Sequence, residues 1–192
     1  MPTTEKHPLQ PFAPANAHIL MLGSFPPPKT RWSMEFFYPN WINDMWRIMG
    51  HIFFGNKHHF EAKGEKRFDK ESVVEFCTQK GIALYDTACE VRRLKENASD
   101  KFLEVVNPTD INLLLQQMPQ CQAIATTGQK ATDTIVANFG CKEPAIGSYE
   151  TIGIEGKEIR FWRMPSTSRA YPLALEKKAL YYHTMLKAEG LL

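Results

Sequence analysis

The stretch from His18 to Pro28 constrains the fold of this 192-residue chain more than any other part of it. His18 to Leu22 is a short apolar run typical of a β-strand. Gly23 ends the run, and the three prolines at positions 26 to 28 prevent a helix from following directly. The strand therefore opens into a stiff loop at the carboxyl edge of a sheet, which is where open α/β sheets bind their ligands.

The loop after this strand combines aromatic rings with amide side chains, namely Phe36, Phe37, Tyr38, Trp41, Asn40 and Asn43. Flat apolar faces beside amide groups suit a planar ligand that forms hydrogen bonds, such as a nucleobase. The other interpretation is that these rings are part of the hydrophobic core, because most aromatic side chains are buried for the large apolar area that they remove from water. The loop residues alone leave both interpretations open.

The overall composition is that of an ordinary soluble globular protein, with 43% hydrophobic and 23% charged residues. The net charge of +2 permits a polyanionic partner without requiring one. No apolar run approaches the roughly 20 residues that a membrane span needs, and residues 1–16 contain no signal-peptide core. We expect a cytoplasmic monomer without membrane contact, with a flexible leader over residues 1–16 and a single domain over residues 17–192.

The sequence contains no recognisable framework for a metal or a cofactor. Its four cysteines are too far apart for any Cys-x-x-Cys clip: Cys77, Cys89, Cys121 and Cys141. His58 and His59 are adjacent, so their side chains point apart on a helix or a strand. We therefore expect neither a metal site nor a cofactor.

Strand-like and helix-like segments alternate along the rest of the chain. The further predicted strands are Ile82–Tyr85, Gln122–Thr126 and Ile159–Met164, the last reached through a hairpin at Glu155-Gly156. Helices are predicted to begin near Asn43, at a capping box over Ser72–Glu75, near Asn107 or Thr109, after Gly128 and near Leu173. The second of these helices is predicted to end at Gly81 and the fourth at Gly140. This order predicts an α/β fold with a mostly parallel sheet and helices on both faces.

In such a sheet, the loops that follow the parallel strands share one rim. These loops are residues 23–46, 86–89, 126–130 and 165–171. The last contains three hydroxyl side chains, Ser166, Thr167 and Ser168, which can hold a phosphate or act as helix N-caps. None of the loops carries a Gly-x-Ser-x-Gly elbow, a Walker phosphate loop or a dinucleotide fingerprint. The sequence predicts one composite site at this rim.

Two motifs give a resemblance to a known family. Leu22–Pro26, followed by Phe37–Pro39 and Asn43–Ile48, resembles the first motif region of the uracil-DNA glycosylase superfamily. It is most similar to the hypoxanthine-DNA glycosylase branch, with the mismatch-specific uracil-DNA glycosylases as a neighbour. Met164–Ser168 resembles the second motif of that branch, a Leu-Pro-Ser-Thr-Ser run, and the likeness spans roughly residues 17–186 in order and spacing.

The resemblance implies a three-layer α/β/α sandwich around a central four-stranded, mostly parallel sheet. It implies a monofunctional DNA N-glycosylase for base-excision repair, which removes a deaminated base, uracil or hypoxanthine, after flipping it out of the duplex. DNA would be the partner, and neither metal nor cofactor is needed. Asn43 would then read the base edge through its amide, which can donate and accept a hydrogen bond at once.

The resemblance also implies roles for further residues. The base would be bound by Gly23, Ser24, Phe25, Pro26, Phe37 and Tyr38, with Phe37 the first choice as stacking ring and the backbone N–H groups near Ser24 stabilising the departing base. DNA would be bound by Ser166, Thr167, Ser168, Arg169, Tyr171 and Lys130. Arg169 or Tyr171 would fill the gap that the flipped base leaves.

The chain departs from the family pattern at the residue that orients the attacking water. Other branches place Asn or Asp two residues after the first-motif Gly, where this chain has Phe25. The hypoxanthine branch relies on an Asn in a Pro-Asn-Asp run, and here that position is Thr109. We therefore assign water placement to Thr109, Asn107 or Asp86. Two alternatives remain, a non-catalytic module that binds nucleic acid or a base, and a nucleoside hydrolase on the same scaffold.

Overall fold

A five-stranded sheet lies at the centre of this computed structural model, which describes residues 3–95 and 100–192. The strands are β1 (Thr4–Lys6), β2 (Ile19–Gly23), β3 (Ile82–Asp86), β4 (Ala88–Arg93), β5 (Leu103–Pro108), β6 (Ala123–Thr127), β7 (Ser148–Ile154) and β8 (Lys157–Met164). The helices are α1 (Met45–Phe54), α2 (Lys70–Lys80), α3 (Ile111–Gln116), α4 (Gln129–Phe139) and α5 (Leu175–Ala188).

The central sheet has the strand order β3-β2-β6-β8-β7. The first four strands are parallel, and β7 pairs antiparallel with β8. The mostly parallel sheet is confirmed. The predicted count of four strands is wrong, because β7 adds a fifth strand at the edge. The hairpin turns at Glu155 and Gly156, both with positive φ, as a two-residue hairpin turn of type I′ requires.

Helices cover the sheet on both faces. Strand β3 lies on one side of β2 and strands β6 and β8 lie on the other. Right-handed crossovers therefore place α1 and α2 on one face and α3 and α4 on the opposite face, and α5 packs against α1. Strands β2, β3 and β6 are buried along their whole length. Burial on both faces explains why they are apolar runs rather than alternating patterns.

A second, three-stranded antiparallel sheet has the order β1-β4-β5. It lies over a small apolar cluster of Phe25, Ala88, Val91 and Leu103. Sequence patterning missed it because β4 pairs with β5 through register shifts and its buried residues do not alternate. The predicted helix start near Asn107 or Thr109 is also wrong, because the sequence pattern does not reveal strand β5. Strand β5 runs to Pro108, and Asp110 caps α3 by accepting from the Leu113 N–H.

The segment predicted to be a flexible leader is attached to the domain over its described residues. Strand β1 pairs with β4, and Phe12 exchanges two backbone hydrogen bonds with Leu84 at 2.9 and 3.0 Å. Met1 and Pro2 lie outside the described residues. The prediction of a flexible leader is therefore wrong for these residues. A polar strand of three residues is too short to show a hydrophobic period, so the sequence pattern does not reveal this pairing.

Helix ends were predicted better than helix starts. Gly81 and Gly140 end α2 and α4 in the left-handed conformation, as predicted. Helix α2 begins after Asp69, whose carboxylate accepts from the backbone N–H groups of Glu71 and Ser72, so the predicted capping box at Ser72 is wrong. Within residues 3–95 and 100–192, no helix has the length and apolar character needed to cross a membrane.

Candidate active site

A cavity of about 570 Å³ lies at the carboxyl edge of the parallel strands. Each of the four predicted rim loops contributes to its wall, through residues such as Gly23, Asn43, Asp86, Thr127 and Ser166. The convergence of these loops follows from the parallel order of β3, β2, β6 and β8.

The residues predicted to bind the base all line this cavity: Gly23, Ser24, Phe25, Pro26, Phe37 and Tyr38. The rings of the aromatic loop divide between the core and the border of the cavity. Phe36 is buried in the core next to Trp46. Phe37 packs in the same core at 4% exposure, yet it also borders the cavity.

Gly23 at the end of β2 makes room for the carboxylate of Asp86 at the end of β3. The two residues are register partners in the sheet. A Cβ atom on Gly23 would lie 2.3 Å from Asp86 Oδ1, which is closer than any real contact. The carboxylate therefore occupies the space that a side chain at position 23 would fill.

Replacing Gly23 by Ala is expected to displace the Asp86 carboxylate and to reduce the free energy of unfolding by about 1–3 kcal/mol, the usual cost of overpacking. Gly153→Ala is the matched control, because a Cβ there meets nothing within 4 Å and φ is not in the left-handed region. Urea denaturation of both variants measures the difference. Equal stabilities would show that the carboxylate moves aside without cost.

Asp86 is the cavity-lining member of the three residues proposed to place water. Its backbone carbonyl accepts a hydrogen bond from Thr109 Oγ1 at 2.7 Å, and Thr109 is itself buried. Asn107 has an exposed side chain on β5 that donates to Glu90. Neither Thr109 nor Asn107 is among the described residues that line the cavity. Thr109 therefore supports Asp86 from behind, and Asn107 faces away from the site.

The orientation of the Asn43 amide is set by its own backbone. Asn43 Oδ1 accepts a hydrogen bond from the Met45 N–H at 2.9 Å, at the start of α1. In the described part of the chain, no hydrogen bond involves Asn43 Nδ2, although the residue lines the cavity. Sequence analysis gave this amide both a donor and an acceptor role. Among the described residues, Nδ2 is therefore the amide atom without a partner, and it is a hydrogen-bond donor.

Tyr38 adopts a backbone conformation that is uncommon for a residue with a side chain. Its φ is 49°, and strained conformations of this kind concentrate at binding sites. The hydroxyl lies 3.0 Å from Thr127 Oγ1. Burial raises the pKa of Tyr38 far above its ordinary value, with the Asp86 charge adding to the effect. The phenol is therefore neutral and fixed in the cavity wall.

A second carboxyl group reaches the cavity from Asp100, which sequence analysis did not single out. Asp100 lines the cavity together with Ser24. Burial raises the pKa of this carboxyl, and the nearby Asp86 charge raises it further. The cavity therefore holds two carboxyl groups in different electrostatic surroundings.

The second motif is joined directly to the first. The loop residues Ser166, Thr167 and Ser168 line the cavity. Ser168 forms an isolated β-bridge with Asn43, and the Thr167 carbonyl accepts from the Asp44 N–H at 2.9 Å. These backbone contacts place the hydroxyl groups of the loop beside the Asn43 amide.

A buried ion cluster lies behind this junction. The Asp44 carboxylate is bonded to Arg169 Nε at 2.9 Å and to Lys178 Nζ at 3.2 Å. Lys178 is fully buried and also donates to the Ser168 carbonyl at 2.8 Å. Arg169 is thus held by Asp44 and borders a neighbouring hollow, whereas Tyr171 and Lys130 line the main cavity. Tyr171 and Arg169, the two residues that the resemblance assigns to the gap in the duplex, therefore lie at different hollows.

Lys178→Met is expected to lower the free energy of unfolding by about 3 kcal/mol, because it weakens the pairing of the buried Asp44 carboxylate and leaves the Ser168 carbonyl without its donor. Lys177→Met is the matched control, since Lys177 is exposed on the same helix. Chemical denaturation of both variants provides the measurement. Similar losses in the two variants would contradict the role of Lys178 in joining the motifs.

Sequence patterning offered a signal for Lys178 but none for His7, which bonds to Asp86. Lys178 falls on the apolar face of α5 with Leu175, Ala179 and Tyr182, where a lysine is out of place. His7 comes from the short polar segment that pairs with β4. Among residues 3–95 and 100–192, no group of three or more His, Cys, Asp or Glu side chains is arranged to hold a metal.

Comparison with known proteins gives a structural relative. No family model and no curated protein sequence matches the chain. The chain is similar to the NMR solution structure of a protein from Methanosarcina acetivorans, provisionally described as a uracil DNA glycosylase. The TM-score is 0.62 over 95% of this chain and 99% of the other, at 20% sequence identity. At that identity the likeness shows the α/β fold, with its mostly parallel five-stranded sheet.

Proposed function

We propose that this protein is a monofunctional DNA N-glycosylase that hydrolyses the bond between a deaminated base and its deoxyribose, in the manner of the hypoxanthine-DNA glycosylase branch. The observation that carries the proposal is one cavity that joins a free amide donor on Asn43, the carboxylate of Asp86 and the Ser166–Ser168 loop. Its volume of about 570 Å³ falls within the range of small-ligand sites, and the fold similarity is consistent with this activity.

The donor character of Asn43 explains a preference for deaminated bases. Uracil and hypoxanthine carry a carbonyl oxygen at the position where cytosine and adenine carry an amino group. Asn43 Nδ2 can donate a hydrogen bond to that oxygen. An amino group at the same position is itself a donor, so it would face Nδ2 without forming a hydrogen bond. A polar site of this kind rejects the wrong group strongly, because its own donor would then be left unpaired.

The same donor supports bond breaking. As the bond between base and sugar breaks, its electron pair leaves with the base, so negative charge develops on the ring and its carbonyl oxygen. A donor fixed beforehand at that oxygen stabilises the charge without reorganising. The hydrogen bond from the Met45 N–H to Asn43 Oδ1 holds the amide in place.

Asp86 would act on the other partner of the bond. Its carboxylate lies at the cavity floor, where it can stabilise positive charge on the sugar and accept a proton from the attacking water. The water oxygen then bonds to the sugar carbon, and the base leaves with the bonding electrons and becomes protonated. Phe25 stands where other branches have the water-orienting residue, so this role shifts to a neighbouring strand.

DNA would be held around the cavity mouth. Hydroxyl groups of Ser166 and Ser168 can donate to phosphate oxygens, and Lys130 adds positive charge. Tyr171 at the rim is the candidate for occupying the gap left by the flipped base. We propose that the protein acts as a cytoplasmic monomer and uses neither a metal nor a cofactor.

The test is a base-release assay on duplexes that contain uracil, hypoxanthine or a mismatched thymine. Abasic sites on at least one deaminated substrate are the expected result. The absence of product on every substrate would reject the proposal in favour of a binding module, which the engaged hydroxyl of Thr109 and the apolar Phe25 would then explain. Such a module would still bind DNA with an affinity that falls as salt is added.

A further inference from the structure

The side chain of His7 is buried although it belongs to a short polar segment at the start of the chain. Its exposure is 2%. The ring packs against Tyr85, Phe25 and Phe37, with centroids 4.6, 5.2 and 6.2 Å away. The His7 N–H donates to the Cys89 carbonyl at 2.8 Å, which continues the pairing of β1 with β4. The second sheet thus places this imidazole behind Asp86, a residue that lines the cavity.

Both ring nitrogens of His7 have partners. Nε2 lies 2.8 Å from Asp86 Oδ2. Nδ1 lies 2.9 Å from the Leu9 carbonyl and 3.1 Å from the Leu9 nitrogen. A neutral ring that donates from Nε2 can accept the Leu9 N–H at Nδ1, and a protonated ring can donate to the Leu9 carbonyl instead. In either state the Nε2–H remains directed at Asp86.

The two oxygens of Asp86 therefore have separate surroundings. Oδ2 is held by His7. Oδ1 lies over Gly23, close to where a side chain there would begin, and both residues line the cavity. Because Thr109 also holds the Asp86 carbonyl, the carboxylate is fixed from its backbone and from one oxygen. The other oxygen is left for a ligand or a water.

We propose that His7 is a positioning residue for this site, which fixes the Asp86 carboxylate so that Oδ1 holds the attacking water. The inference rests on the proposed glycosylase function and adds a residue to it from outside both motifs. His7 itself does not reach the substrate or transfer a proton. Its contribution is the orientation of a group that a single bond would otherwise leave free to rotate.

The test compares His7→Phe, which keeps an aromatic ring but loses the donor, with His7→Gln, which keeps an N–H donor at similar reach. Single-turnover base release by His7→Phe is expected to fall about 100-fold, because a small misplacement of a reacting group has effects of that size. The dissociation constant for DNA should stay within about twofold, since phosphate contacts dominate affinity. His7→Gln should recover most of the lost rate.

A double-mutant cycle separates positioning from general damage. In the Asp86→Asn background, His7→Phe is expected to change the rate by less than about twofold, because residues that act through one another are not additive. Circular dichroism confirms the fold of each variant, and His7→Leu replaces His7→Phe if the latter does not fold. An additive effect, or equal loss in His7→Gln and His7→Phe, would overturn the inference.

The outcomes also separate this inference from the proposed function. An active wild-type protein with an equally active His7→Phe variant overturns the positioning role alone. A wild-type protein that releases no base from any substrate overturns the proposed function, and the role of His7 with it.

Discussion

Asn43→Ala is expected to lower the single-turnover rate of base release by about 100- to 1,000-fold, the usual effect of removing one donor that stabilises developing negative charge. The substitution removes the free Nδ2 donor of the cavity. The dissociation constant for DNA should change little, because phosphate contacts supply most of the affinity. The measurement combines single-turnover kinetics with a DNA-binding titration on the same duplex.

Asn43 also has a structural role, which the control must separate from the chemistry. Its Oδ1 accepts from the Met45 N–H at the start of α1, and a typical intramolecular hydrogen bond contributes about 1 kcal/mol to stability. Asn43→Asp keeps an acceptor for that N–H but replaces the donor by a carboxylate. We therefore expect Asn43→Asp to retain stability and still lose base release. An active Asn43→Asp variant would exclude Asn43 as the donor to the base.

The part of the site that sequence could predict is the part built from local signals. The apolar run before Gly23 and the prolines after it fix a strand and a loop without reference to the rest of the chain. Once the sheet is taken as parallel, the shared rim follows from topology. This is why the residues predicted to bind the base and the Ser166–Ser168 loop do lie at one cavity.

The part that sequence could not predict depends on contacts between distant segments. Strand β1 has three residues, and its strand character comes from pairing with β4. Strands β4 and β5 pair through register shifts, so neither shows a period of two. The position of His7 beside Asp86 depends on this pairing, so the sequence points to Thr109 and Asn107 and gives no signal for His7.

The direction of the Asn43 amide illustrates a finer limit. Residue type alone gives an amide both donor and acceptor capacity. The hydrogen bond from the Met45 N–H to Oδ1 depends on the backbone geometry at the start of α1, which a predicted helix start near Asn43 does not specify. The proposal that Asn43 donates to a carbonyl oxygen therefore depends on the three-dimensional structure and does not follow from the sequence.

Asp86→Asn is expected to reduce base release by about 1,000-fold, within the range that general acid–base catalysis contributes. The amide has nearly the shape of the carboxylate and can still accept the His7 Nε2–H, so the cavity should keep its form. It cannot take a proton from water or stabilise positive charge on the sugar. Single-turnover kinetics measure the loss, and Asp133→Asn, on the exposed face of α4, is the control for the change in charge.

The second carboxyl group of the cavity sets the sharpest test of this assignment. Burial raises the pKa of Asp100. Asp100 is therefore a second candidate, beside Asp86, for the group that accepts a proton from the attacking water. If Asp86 holds the water, Asp100→Asn should reduce the rate far less than Asp86→Asn. The reverse order would move the water to Asp100. Because His7 and Thr109 hold Asp86, the order of the two variants also shows whether the chemistry depends on the carboxyl group that these two residues fix.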